Sequence, residues 1–245
     1  MVHISLAMSR PTSIHPGERR APEIVAERRE ISVPVKGARV EGDLVVPSGA
    51  RGLVVFAHGS GSSRHSPRNR YVAEVLQRGK LATLLLDLLT REEEAIDART
   101  AHLRFDIELL AERLVSAIEW ARRDPSTREL RLGFFGASTG GGAALVAAAL
   151  RPDAVAAVVS RGGRPDLAGN ALPVVRAPTL LIVGGDDVPV LELHREAIAR
   201  MRNEVHLEVI VGATHLFEEP GALEEVGRLA REFLTAKLGG IASPS

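Results

Sequence analysis

Apolar positions along the chain fall into two alternating rhythms. ISVPV and ARVEGDLVVP, separated by Lys36-Gly37, alternate apolar and polar residues as half-buried strands do, and predict an antiparallel pair. GLVVFAHG and LATLLLDLL are continuous apolar runs, the look of strands buried on both faces. RNRYVAEVLQRGK places Tyr71, Val75 and Leu76 on one helical face, with Gly79 as a stop. REEEAIDARTAH reads as a polar connection, its run Glu92-Glu93-Glu94 a solvated loop or helix start. Ile107, Leu110, Leu114 and Ile118 then recur at helical spacing.

The second half repeats the alternation. RLGFFG, VAAVVS, TLLIVGG and HLEVIVG read as strands; GGGAALVAAAL, LELHREAIARM and ALEEVGRLAREFLTAKL read as helices. VHLEV alternates where the other strands are solidly apolar, which suits a place nearer the sheet edge. Strands alternating with helices predict an α/β fold, a doubly wound, mostly parallel sheet with an antiparallel N-terminal strand pair. Connections are short, so no large cap domain is expected.

Composition narrows the functional classes. The 245 residues fit one domain, expected over 29–240. Residues 1–28 read as a poorly ordered leader, with Met8 a second candidate start, and 241–245 as a loose tail. Lys+Arg and Asp+Glu stand at 31 each and aromatics at 3%, which argues against a nucleic-acid partner. No apolar run approaches the ~18 residues of a membrane span, and no signal-peptide core opens the chain. There is no cysteine, which excludes disulfides and thiolate chemistry; the expected setting is cytoplasmic, and the oligomeric state is not legible.

Ligands of such sheets bind beyond the carboxyl ends of the strands. Four strand ends carry chemistry. Gly136-Ala137-Ser138-Thr139-Gly140 is a G-x-S-x-G turn from strand to helix, which exposes a serine Oγ and leaves the next N–H free. Gly184-Gly185-Asp186-Asp187 offers a carboxylate that could hold a histidine, or merely cap the next helix. Gly212-Ala213-Thr214-His215 offers a base. His58-Gly59-Ser60-Gly61-Ser62-Ser63 can aim backbone N–H groups at an oxyanion, with His58 as an anchor of the loop. The order Ser138, Asp187, His215 is that of the α/β-hydrolase triad, and far more specific than any one motif.

Together, FAHGSGSSRHSPRN, FGASTGGGAAL, LLIVGGDD and GATHLFEEPGAL resemble the dienelactone-hydrolase-like branch of the α/β-hydrolase superfamily. The resemblance implies Ser138 as nucleophile, His215 as base and Asp187, rather than Asp186, as the acid. True dienelactone hydrolases carry cysteine in the elbow, so the likeness speaks to fold and triad, not to substrate. The expected oxyanion donors are the Ser60 and Thr139 amides.

The expected function is hydrolysis of a small-molecule carboxylic ester through an acyl-enzyme, without metal or cofactor. Two alternatives stand beside it: a non-catalytic binding or scaffold protein, and thioester or peptide hydrolysis on the same fold. Arg64 and Arg161, from two strand-end loops, could converge on a substrate carboxylate or phosphate, or be spent in surface salt bridges.

Overall fold

A computed structural model describes residues 2–7 by their backbone and 26–239 in full. Among the described residues, nine strands form one sheet in the order β1-β9-β8-β7-β6-β4-β5-β3-β2. The hairpin β2 (Ala26–Val35) and β3 (Ala38–Pro47) turns at Lys36-Gly37. β3 lies antiparallel to β5 (Ala82–Leu86) as well, so it alone runs against the sheet. β4 (Leu53–Ala57), β6 (Leu132–Ala137), β7 (Val155–Arg161), β8 (Thr179–Gly184) and β9 (Val205–Ile210) pair in parallel.

Strand alternation sorts the core onto two faces. Along β4, Leu53, Val55 and Ala57 face one layer, packed with Leu110, Leu114 and Ile118 of α3 (Ile107–Ala121) and Ala143, Ala144 and Ala147 of α4 (Thr139–Leu150). Val54 and Phe56 face the other, against Val72 and Leu76 of α1 (Pro67–Arg78) and Val226, Ala230 and Leu234 of α6 (Ala222–Leu238). α5 (Val188–Arg200) covers Leu181 and Val183 on the first face. Apolar runs in β4–β8 are continuous because both sides are covered.

Two sequence expectations differ from the structure. REEEAIDARTAH is not a connection: Arg91–Thr100 form the helix α2. Its start is a capping box, Thr90 accepting from the Glu93 amide while the Glu93 carboxylate accepts from the Thr90 amide. The leader differs at Val2–Ala7, which form β1 beside β9, in register from Val2↔Val205 to Ala7↔Ile210. A terminal strand of this kind is ordered by a distant partner edge rather than by its own flanks. β9 is therefore one strand in from the edge. Residues 8–25 and the tail 241–245 lie outside the described residues.

From β4 the chain steps to β5 on one side, and from β6 it builds β7, β8, β9 and the rest on the other. The strand order thus reverses between β4 and β6, where a crevice opens at the carboxyl ends. The loops that leave β4 and β6 are those carrying His58–Ser63 and Ser138.

Candidate active site

Ser138 stands between β6 and α4 with φ 50° and ψ −124°, a backbone conformation costly for any residue with a Cβ. Hydrogen bonds hold it there. Its N–H donates to the Arg161 carbonyl at 3.4 Å, and its own carbonyl accepts from Gly141 and Arg164, each at 3.0 Å. Glycine is required next to it: a Cβ on Gly140 would lie 2.2 Å from the Ala57 carbonyl oxygen. That close approach of α4 to the end of β4 brings the loop after β4 alongside, and a Cβ on Gly59 would meet Ser138 Cβ at 3.0 Å.

Asp187 and His215 come from the exits of β8 and β9. His215 Nδ1 lies 2.7 Å from Asp187 Oδ2. A carboxylate only accepts, so Nδ1–H donates and Nε2 is left with its lone pair. The Asp187 side chain is 13% exposed and the imidazole 38%, so the histidine is the more open member of the pair. Asp187 occupies the N-cap position of α5, yet its side chain makes no capping bond; the carboxylate is turned to His215 instead. Asp186 anchors the same loop through its amide, which donates to the Ala213 carbonyl at 3.0 Å. Gly184 permits the encounter, since a Cβ there would stand 2.3 Å from the Ala213 oxygen.

Ser138 and His215 flank the same backbone, Arg161-Gly162. The Arg161 carbonyl receives the Ser138 N–H, and a Cβ on Gly162 would lie 3.7 Å from His215 Cε1. Glu219, which the sequence reading did not single out, braces the histidine loop by accepting from the Thr214 amide at 3.0 Å and its hydroxyl at 2.5 Å. Its only signal in the sequence is its place four residues beyond His215.

The loop after β4 lines a cavity of about 430 Å³ with His58, Gly59, Ser60 and Thr139 on its walls. Thr139 is the first residue of α4, where helix amides lack intrahelical partners and the dipole favours negative charge. His58 acts as an anchor: Nε2 accepts from the Leu88 amide at 3.1 Å, so Nδ1–H is the donor to the Gly59 carbonyl at 2.9 Å. Burial, outweighing the Gly59 bond and the Asp87 charge, lowers its pKa and keeps it neutral.

Arg64 is not brought to Arg161. Its backbone N–H and guanidinium both bind Asp87, and Nε reaches Asp43 at 3.2 Å. Here the salt-bridge alternative applies: the carboxylates of β3 and the β5 exit absorb the charge and strap the loop after β4 to the sheet. Arg161 is a different case. It is buried, and its Nε and Nη1 have no hydrogen-bond partner among the described residues.

The model of the dienelactone hydrolase family matches residues 40–232. The chain belongs to the dienelactone hydrolase family. A dienelactone hydrolase of Anabaena variabilis is 61% identical, with a TM-score of 0.85 over 87% of this chain and 99% of that one. The esterase Pf2001 of Pyrococcus furiosus, 18% identical, has a TM-score of 0.70 over 94% of this chain and 100% of its own, a likeness of fold alone. A Mycobacterium tuberculosis protein with the provisional name phosphoribosyl transferase is 58% identical over 211 residues, 86% of this chain and 47% of its own length. The chain thus spans about half the length of the curated relatives it matches. The family and the α/β-hydrolase fold agree with the sequence-based expectation.

Proposed function

We propose that the chain hydrolyses small carboxylic esters through an acyl-enzyme on Ser138. The observation that carries this reading is the Asp187–His215 hydrogen bond of 2.7 Å, which leaves the other ring nitrogen of the imidazole free, on a loop that shares the Arg161-Gly162 backbone with the strained Ser138 turn.

His215 Nε2 takes the hydroxyl proton as Ser138 Oγ attacks the ester carbonyl. Asp187 holds the tautomer and stabilises the imidazolium that results. The tetrahedral oxyanion accepts hydrogen bonds from the Ser60 and Thr139 amides, and each such donor is worth about 10²–10³ in turnover. Collapse breaks the C–O bond to the leaving alcohol, which receives the proton from His215. Water, deprotonated by the same nitrogen, then attacks the acyl carbonyl, and Ser138 departs with its proton restored.

The test is hydrolysis of short-chain p-nitrophenyl esters by wild type and Ser138→Ala, with a fluorophosphonate label read by mass. Turnover and label both vanishing in the variant is the expected result. A folded wild type with neither would favour the non-catalytic reading, and turnover surviving the substitution would mean another nucleophile.

A further inference from the structure

Arg161 is a buried charge with little compensation. Its residue is only 7% exposed, and among the described residues Nε and Nη1 are buried without a partner and no carboxylate is paired with it. The Phe217 ring, 5.8 Å from Cζ, gives partial compensation. Burial, with the Arg68 charge second, pulls its pKa down to about 10, so the group is still a cation at neutral pH. A buried guanidinium left in this state is costly unless a ligand supplies the anion.

Its surroundings are positive and adjoin the candidate catalytic residues. Arg161 carries the carbonyl that binds the Ser138 N–H, and Gly162 beside it packs near the His215 ring. Arg68, in the first turn of α1, is the neighbouring charge; Nη1 pairs with Glu218 at 3.0 Å while its Nε is buried and unpartnered. That first turn holds no acidic residue, so the positive end of the helix is not offset from within.

We propose that Arg161 and Arg68 form a subsite for a phosphate group carried by the ester substrate; this rests on the ester-hydrolase reading above. Unpartnered N–H groups come from two guanidiniums on different elements, β7 and α1. A carboxylate has two coplanar oxygens and suits one guanidinium edge. A phosphate monoester presents three terminal oxygens in three dimensions and carries nearly two charges at neutral pH. Glu218 offsets part of the Arg68 charge, so the case for phosphate over carboxylate rests on its three terminal oxygens meeting N–H groups from two directions. Arg64, spent on Asp43 and Asp87, takes no part.

The experiment compares acetyl esters of phenols that carry a phosphonate, a carboxylate or a carboxamide on the same linker. Wild type is expected to prefer the phosphonate ester over the carboxamide by about tenfold or more in kcat/KM, chiefly through KM, the scale of one charge-assisted hydrogen bond. Arg161→Gln and Arg68→Gln should each reduce that ratio by about tenfold. Equal rates on phosphonate and carboxamide esters, or a carboxylate ester as good as the phosphonate, would overturn the proposal. Calorimetric titration of Ser138→Ala with inorganic phosphate reads the subsite without catalysis. Binding there that is lost on adding Arg161→Gln supports the subsite even if no ester is turned over, and no binding of phosphate sinks it.

Discussion

At the scale of single residues, the candidate site depends on two backbones approaching more closely than a side chain would allow. Gly184 is the test case. A methyl there would overlap the Ala213 oxygen, the nearest atom to it, and the Thr214 oxygen at 2.7 Å. The histidine loop would have to withdraw from the aspartate loop. Gly184→Ala is therefore expected to lower kcat by about 10²-fold, the cost of misplacing a catalytic group by about 1 Å. A downfield imidazole N–H resonance from the Asp187 bond should disappear with it. Wild-type kcat with that resonance intact would show that the loops tolerate the methyl. Much of this was legible in the sequence, because G-x-S-x-G, the aspartate pair and the histidine each follow an apolar strand run. The choice of Asp187 over Asp186 was not legible in the residue pattern, since it depends on which carboxylate the β8 exit turns toward β9, and came from the family resemblance. Nor was the fate of Arg64, whose partners Asp43 and Asp87 arrive through strand pairing that local pattern does not encode.

At the scale of elements, ion pairs tie the hairpin to the helical layer. Arg29 on β2 donates to Asp124, in the turn after α3, at 2.5 Å, and its guanidinium lies 5.8 Å from the Trp120 ring. Burial alone would raise the Asp124 pKa; the Arg29 bond and two hydrogen bonds from Ser126 reverse it, and the net shift is downward. The sign follows from linkage. A carboxylate depressed in the folded state adds stability above its unfolded pKa of about 3.9, and that stability is lost as pH falls through the lower folded value. Asp124→Asn should cost about 1–2 kcal/mol at neutral pH, the scale of a charged hydrogen bond with one partly solvated member. Urea titrations of the two proteins should converge as pH drops below about 4. A gap that stays constant from neutral to acid pH would mean that packing, not charge, is what the substitution removes. Helix α2 belongs to the same scale: composition made it look like a loop, while the Thr90–Glu93 box, a local signal, marked its start.

At the scale of the whole molecule, the sheet has two ends of different character. The β2 end is a hairpin closed by a two-residue turn. The β1 end is a strand joined to β9 across some two hundred residues of chain, and β9 would be the edge without it. An unpaired edge offers its N–H and C=O groups to other molecules. A chain beginning at Met8 should keep the α/β-hydrolase sheet, because β9 still pairs with β8 along Thr179↔Val205 to Gly184↔Ile210. Its β9 amides that face β1 should exchange with solvent at the rate of an open edge, and sedimentation should show association that grows with concentration. Protection of those amides unchanged by the truncation would mean that β1 does not cover the edge in solution. Ser138 lies at the β4–β6 switch point, several strands away, and His215 follows β9 beyond its last pair with β1, Ala7↔Ile210, so ester turnover per folded molecule should survive the truncation. Loss of turnover in a monomeric, folded product would instead tie the edge to the geometry of the β9 exit, where His215 begins.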